Sequence, residues 1–452
     1  MGAVAASAGS GAVNDVPTLQ VAALPPLFIQ PELWRIHAPA SELDCAKLID
    51  VCRKQDATMR KALRARSGQS RSELRKAVRY YCTADCAKVA SLAYELNKAG
   101  VQIGKSKTWS FRAVVEAACS IRWDGPVIGK VIVEPLSLEL KTKAVFKFCD
   151  PRERARHRLA HNALSAALRL PSWAFLFNGG EGAAIDWLRK RLPAAKTALV
   201  TDFPSCFAVL PWQVVENGSL LSKGACRSLL FDPWKRAKVM WPGPEKPSLG
   251  AAFLRDALSI SNCAHEIGAG RGIPPGAALS PIVAQCVLRD LLTEELLATF
   301  AGIEIGLFAD NLVILLDDDE LAAPVRDRLT LLAYKHFDSI VAHEFRERTD
   351  VLKLGDSFRL LGRDVKWRKR VSFSPPLSHC SRVVEKVQLD ALEGDFERAL
   401  RRAAGFNSRH AGSKLTAMTL MQIGHRLAEQ AATMESGHHM LDELLTPSLE
   451  CN

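Results

Sequence analysis

The sequence predicts an α+β fold. Short apolar runs of strand length occur as VIVEPLSLEL and AVFKF between Lys130 and Phe148, as TALVTD ending in Asp202, and as GLF and LVILL on either side of Asp310 and Asn311. Stretches with helix-start signals lie around them, from Ser41, from Ser72, after Asp150-Pro151 and from Ser280-Pro281. With 452 residues, 48% of them hydrophobic, the chain can bury sizeable cores in about two to four structural units.

Residues 1–26 are small, rich in Gly, Ala and Ser, and end at Pro25 and Pro26, so they are expected to be a disordered leader. They lack the positive start of a secretory signal. Ala6 stands where a myristoylation pattern asks for Ser or Thr. Residues 27–104 predict a helical, basic region. Ser41 is a plausible N-cap for a helix carrying Leu43, Ala46, Leu48, Ile49 and Val51, and Ser72 starts a second toward Tyr81. Between and along them runs a basic series from Arg53 to Arg79, which reads either as a solvated helix face or as a phosphate-contacting one. The whole chain carries a formal charge of +11, which favours a polyanionic partner. Its 12 Cys have irregular spacing and no CxxC pair, the pattern of buried, reduced thiols in a cytoplasmic protein rather than of a zinc site. No stretch is long and apolar enough to span a bilayer, so no membrane partner is expected.

From Lys130 the pattern is strand-like until Asp150-Pro151 breaks it, with Lys143 and Lys147 as cations for a polyphosphate, together with Arg158 of the next helix. His157 and His161 sit four residues apart on that helix, but no Glu follows the first His, so an ordinary helix face is expected. Asn178 to Gly182 is a turn into another helix. TALVTDFPSCF then places Asp202 at the exit of a buried strand, with Phe207 five residues on. GIPPGAALSP, residues 272–281, is a Gly/Pro turn feeding a helix. In GLFADNLVILL a polar pair sits where a hairpin turns; it is either a plain turn or a carboxylate placed to hold a metal. Beyond Pro376 the pattern is helical over 381–403 and 413–434, with Arg398, Arg401, Arg402 and Arg409 along it.

In this order and spacing the motifs resemble the palm of a reverse transcriptase of the bacterial retron, abortive-infection or defence-associated type. TDFPSCF resembles the first catalytic motif, GIPPGAALSP the motif written G-x-P-Q-G-x-x-x-S-P, and GLFADNLVIL the hairpin written Y-A-D-D. EFRERTDVLK and FRLLG are similar to the segment written E-K-T and to the FxFLG primer-grip turn, and FLFNGGEGAAI is a fainter likeness of G-F-R-x-G-R-S. The resemblance implies a right-hand polymerase. Fingers and palm, an antiparallel sheet flanked by helices, would span 105–375; a short helical thumb 376–435; and 436–452 would be a tail. It implies an RNA-directed DNA polymerase joining dNTPs by two-metal phosphoryl transfer. Asp202, Asp310 and the carbonyl of Phe203 would hold Mg²⁺, with Mn²⁺ as a substitute. Phe207 would lie under the sugar and exclude a 2′-hydroxyl, while Pro274 and Gly276 would cradle the nucleotide. Lys353 or Arg348 would protonate pyrophosphate, Lys353 being the better donor. Phe358, Leu361, Gly362 and Arg363 would grip the primer, and Arg401 would track the duplex from the thumb.

The partners implied are an RNA template or associated non-coding RNA, the DNA product, and a second copy or protein partner, with phage defence as the role. The chain departs from the family pattern at four positions. Asn311 replaces the second Asp of Y-A-D-D, Phe308 the Tyr, Pro275 the Gln, and Ala277 a frequent Ser. These departures keep two alternatives open: template-independent or protein-primed synthesis, and a catalytically degenerate nucleic-acid-binding scaffold.

Overall fold

The computed structural model describes residues 41–138, 141–203, 206–239, 270–337 and 339–433; the expected leader and tail lie outside the described residues. The fold is α+β with antiparallel sheets, the one parallel pairing among the described strands being a two-residue contact. Helix α1 (Glu42–Ala65) is capped by Ser41, whose hydroxyl accepts from the Asp44 amide. Helix α2 (Arg71–Thr83) begins ahead of the expected Ser72. Ser70 and Glu73 exchange hydrogen bonds in a capping box that satisfies two otherwise orphaned amides, which Ser72 cannot do. Two cations of the basic series are spent inside the fold. Arg71 and Arg75 donate to the carbonyl of Ser219, and Arg75 also to that of Glu216, at the C-terminal end of the later helix Trp212–Gly218.

Helices α3 (Asp85–Lys98) and α4 (Phe111–Cys119) follow, then the hairpin β1 (Val131–Leu138) and β2 (Lys141–Phe148). Asp150 caps α5 (Pro151–Ala167), whose first residue is the proline that needs no amide partner there. Helix α6 (Gly180–Arg191) leads to β3 (Thr197–Asp202) and α7 (Trp212–Gly218), and β4 (Lys238–Val239) touches β1. Helix α8 (Ser280–Thr299) precedes the hairpin β5 (Ile303–Phe308) and β6 (Asn311–Leu316). Helices α9 (Ala322–His336) and α10 (Ser339–Glu347) lead to β7 (Asp350–Lys353).

The central sheet has the order β5-β6-β3-β7, antiparallel throughout. Alternation along its strands divides two cores. Leu199, Ile305, Leu312, Ile314 and Leu316 face α8 and α9 through Ile282, Val287, Val325 and Leu329. Ala198, Val200, Val313 and Leu315 face α6 and a second sheet through Leu188, Leu192, Phe358, Val365 and Trp367. A one-residue slip would swap the two sets. Each buried Leu or Ile contributes about 1.5–3 kcal/mol, so the register is firmly held. The first core also takes in α1 to α5, so no break between cores falls at the expected boundary near residue 104.

The second sheet orders β8 (Ser357–Leu360), β9 (Arg363–Lys366) and β10 (Ser372–Ser374). Helices α11 (Leu377–Leu392), α12 (Phe396–His410) and α13 (Lys414–Thr433) form a bundle with its own core around Val387, Ala399, Phe406 and Ile423. One carboxylate joins this bundle to the rest. Glu181 of α6 pairs with Arg363 of β9 at 3.0 Å and with Arg409 of α12 at 3.4 Å, and Arg363 also donates to the Arg409 carbonyl.

Beside that junction His410 is buried, with its ring 5.0 Å from that of Phe406 and 5.2 Å from that of His379. Burial, with Arg363, His379 and Arg409 nearby, pushes its pKa down to about 4. A lowered histidine pKa means that the unfolded chain takes up a proton the folded one refuses. His410 therefore costs stability as the pH falls below the ordinary histidine range near 6.5 toward 4. His410→Phe is expected to flatten the acid limb of stability in that window, measured as urea midpoints against pH. An unchanged limb would show that His410 does not titrate with folding.

Candidate functional site

Strand pairing brings Asp202 and the β5–β6 tip to one end of the central sheet. Asp202, the last residue of β3, lies directly opposite Asn311, the first of β6. The two-residue loop is Ala309–Asp310, one position earlier than the expected turn, because Phe308 and Asn311 still pair. The Phe203 amide donates to the Asp310 carbonyl at 3.0 Å, tying the chain that leaves β3 to the tip of the hairpin. Ala309 has a φ of 54°, a left-handed conformation that costs a non-glycine residue roughly 1–3 kcal/mol. Such strain persists where the surroundings enforce it.

Around the carboxylates the polar contacts are specific. Asn311 Nδ2 donates to Asp310 Oδ1 at 3.0 Å and to the Phe308 carbonyl at 3.4 Å. Arg348 Nη1 lies 3.3 Å from Asp202 Oδ2, and its other terminal nitrogen bonds Glu344. The Asp202 side chain is still 41% exposed, so it is open to a ligand. The Phe203 ring is buried and stacks on Phe345 of α10 at 4.4 Å, which fixes the strand exit against the helix that carries Glu344. Its carbonyl accepts from the Cys206 amide at 3.3 Å and keeps a second lone pair. Burial, reinforced by Asp310, pushes the Cys206 thiol well up, so it is no nucleophile.

The other expected residues are distributed as follows. Phe207 sits on the helical turn Cys206–Val209, and its carbonyl accepts from the Ile273 amide at 2.7 Å, so the 272–281 loop adjoins the exit of β3. Within that loop Pro274 is buried and its carbonyl is taken by Ser280 Oγ at 2.7 Å; it faces the fold rather than a nucleotide. Gly276 has a φ of 89°, and a Cβ there would come within 2.6 Å of Val145, so its glycine is also required by close approach to β2. Lys143 lies on β2 opposite Leu136; its side chain is outside what is described. Phe358 is buried between the sheets. Leu361 and Gly362 form the β8–β9 loop, with positive φ at both positions. Leu361 lines a small cavity with Phe308 and Asn311, which sets this turn next to the hairpin. Arg401 is exposed and pairs with Glu397 at 3.5 Å.

Three expectations are corrected. Lys353 pairs in register with Thr197, at the far end of β3, and its ammonium bonds Asp319 at 3.2 Å. Thr197 and Asp202 are five residue steps apart along the strand, roughly 17 Å at the rise of an extended chain. The antiparallel run of β7 instead leaves Arg348 beside the site. Arg158 is held by Glu95 of α3 at 3.0 Å and lies 4.6 Å over the Tyr94 ring, in the helical layer. Arg363 is nearly buried in the Glu181 junction rather than presented to a backbone. Trp187 of α6 went unrecognised, although Gly306 signals it. A Cβ at Gly306 would meet the Trp187 ring at 2.6 Å, and glycine inside an apolar strand marks such an approach.

The donors at the sheet end suit a hard divalent cation: two carboxylates and a backbone carbonyl, with substrate oxygens and water completing the shell. Among the described residues no group of three or more His, Cys, Asp or Glu is arranged to hold a metal by itself. None of the helices that are described is long and apolar enough to cross a membrane.

No protein family matches the chain, and no curated protein does. Among solved structures, the chain is similar to the telomerase from Candida albicans in complex with the TWJ fragment of telomeric RNA, with a TM-score of 0.28 and 10% identity. The match covers 59% of this chain and 52% of that one, so the chain spans about half of that structure.

Proposed function

We propose that the chain is a nucleotidyltransferase of the reverse-transcriptase kind, an RNA-directed DNA polymerase. The observation that supports this reading is the meeting of Asp202 and Asp310, from the exit of one strand and the tip of the adjacent hairpin, joined by the Phe203–Asp310 backbone bond. Asp202, Asp310 and the Phe203 carbonyl would hold Mg²⁺ or Mn²⁺. When bound, the cations supply charge stabilisation for the attacking 3′-oxygen and the leaving pyrophosphate. Arg348 is the cation placed to neutralise phosphate charge beside Asp202; as a guanidinium that hardly gives up its proton it would act by charge and not as the general acid. Phe207 would lie under the sugar and select deoxynucleotides. An RNA template or companion RNA, a cytoplasmic setting and a role in phage defence complete the reading.

Purified protein incubated with labelled dNTPs, Mg²⁺ and an RNA template with its primer tests it. Incorporation that disappears after RNase treatment is the expected result. Absence of incorporation overturns the polymerase reading, and incorporation that survives RNA removal overturns the RNA template.

A second reading has an observation of its own. Arg348 on Asp202 and the Asn311 amide on Asp310 give each carboxylate a partner within the chain, as a scaffold that binds nucleic acid without catalysis would require. Asn311→Asp separates the two. In a polymerase the added carboxylate restores a hard ligand next to Asp310, and activity is expected to be kept or raised. In a scaffold it sets like charges side by side, lowering the thermal midpoint while activity stays at zero.

A further inference from the structure

Arg348 is shared by two carboxylates. It follows the last residue of α10, and its amide still donates to the Glu344 carbonyl at 3.1 Å, so helical spacing sets Glu344 and Arg348 one turn apart on one face. Nη1 donates to Asp202 Oδ2 at 3.3 Å, and Nη2 donates to Glu344 Oε1. The neighbouring charges go elsewhere: Arg346 pairs with Asp327 of α9 at 3.0 Å, and His343 lies 3.6 Å from Glu347. The side chains of Arg348 and Glu344 are 33% and 43% exposed, so either can turn without uncovering the core.

The end of the helix is fastened by other contacts. Phe345 is fully buried against Phe203, and Thr349 Oγ1 donates to the Phe345 carbonyl at 2.8 Å. An exposed ion pair adds little stability beside such packing. Arg348 therefore has two places to rest, one on Asp202 and one on Glu344, over a backbone that stays put. The two are not equivalent toward a cation. Mg²⁺ binds a carboxylate oxygen at about 2.0–2.1 Å, so a guanidinium on the same carboxylate both repels it and competes for the negative charge.

We propose that Glu344 is a positioning residue that receives Arg348 from Asp202 when a divalent cation binds, and so holds the guanidinium ready for a nucleoside triphosphate. The inference rests on the reading of Asp202 as a cation ligand. While Arg348 lies on Asp202 it lowers the affinity of that carboxylate for the cation. A cation shifts the balance toward Glu344, because it binds the arrangement in which Asp202 is released. Nη1, freed from Asp202, then meets a phosphate oxygen in a charge-assisted bond, while Nη2 stays on Glu344. Cation binding thereby prepares the site for the nucleotide.

The test is Mn²⁺ affinity of the full chain by electron paramagnetic resonance, with thermal midpoints measured alongside. Arg348→Ala is expected to bind Mn²⁺ tighter and Glu344→Gln weaker, each by about twofold to fivefold, the worth of an exposed ion pair. In the Arg348→Ala background Glu344→Gln should have no effect, because Glu344 acts through the arginine. Equilibrium dialysis of a labelled α,β-imido deoxynucleotide should show a smaller tightening by Mn²⁺ in either variant than in the wild type. Equal Mn²⁺ affinities in wild type and Arg348→Ala, or the same loss from Glu344→Gln with and without Arg348, would overturn the proposal. Incorporation of dNTPs is measured separately. The expected Mn²⁺ pattern without incorporation keeps the proposal and overturns the polymerase reading, whereas incorporation with unaltered Mn²⁺ affinities overturns the proposal alone. Mn²⁺ binding that is absent, or unchanged in Asp202→Ala, overturns both.

Discussion

Asp310→Ala, and separately Asp202→Ala, is expected to lower deoxynucleotide incorporation by about 10³-fold or more while leaving the fold intact. Losing one of two carboxylates that would share the cations removes several kcal/mol of charge stabilisation from the transition state, and about 4 kcal/mol corresponds to that factor. Neither change opens a cavity in the core. Asp202 is 41% exposed, and Asp310 lies in the two-residue loop beyond the last paired positions. The measurement is single-turnover extension beside far-ultraviolet circular dichroism. Extension at the wild-type rate in either variant would refute the assignment of the site, whatever the chain's function. The double variant should be little worse than either single one, because the two side chains act as a unit.

Glu153→Ala is expected to destabilise the chain by about 3–5 kcal/mol, the usual penalty for stripping the partner from a buried charge. Glu153 and Arg156 are both fully buried and lie 3.4 Å apart. Glu153 Oε2 also accepts from the Ile128 amide at 2.9 Å, while Arg156 donates to the Pro126 carbonyl and to Ser228 Oγ. The cluster therefore fastens the segment before β1 to α5. Burial lowers the pKa of Arg156, and Glu153, Asp124 and Asp232 oppose that shift; Glu153 is the first of these and the one in contact. Burial also lowers the pKa of His157, one turn beyond Glu153, against the opposing pull of the Glu153 carboxylate. Urea denaturation of Glu153→Ala, Arg156→Leu and Glu153→Leu/Arg156→Leu tests the idea. The double variant should recover much of what each single change loses, since an apolar pair leaves no stranded charge. Simple additivity would contradict it.

Much of the site was legible because backbone periodicity is local. TALVTD and LVILL are apolar runs of strand length, and a carboxylate at the end of each has few places to go except the edge of a sheet. The one-residue difference in the turn, Ala309–Asp310 instead of Asp310–Asn311, arises because cross-strand register, not turn propensity, decides which residues pair. The basic side chains were hardly legible. Arg158, Arg363 and Lys353 look alike in a sequence, yet each is engaged by a carboxylate distant in the chain: Glu95, Glu181 and Asp319. Charge can be read from a letter, whereas a partner requires the fold. Proton-transfer chemistry favours Lys353 over Arg348, but the β7 register, which no local pattern reveals, carries Lys353 to the far end of β3.

The carboxylate of Glu181 makes the C-terminal bundle a participant in the sheet's geometry. It is shared between Arg363, next to the Leu361–Gly362 loop, and Arg409, whose guanidinium also reaches the Leu361 carbonyl at 3.4 Å. The helix α6 that carries Glu181 also carries Trp187, packed beneath Gly306 of the β5–β6 hairpin. A ligand that tilts the bundle must stretch this three-way link or drag α6 with it. Whatever free energy the ligand thereby spends on the hairpin, occupancy of the hairpin returns in equal measure to the ligand, because coupling between two sites is reciprocal.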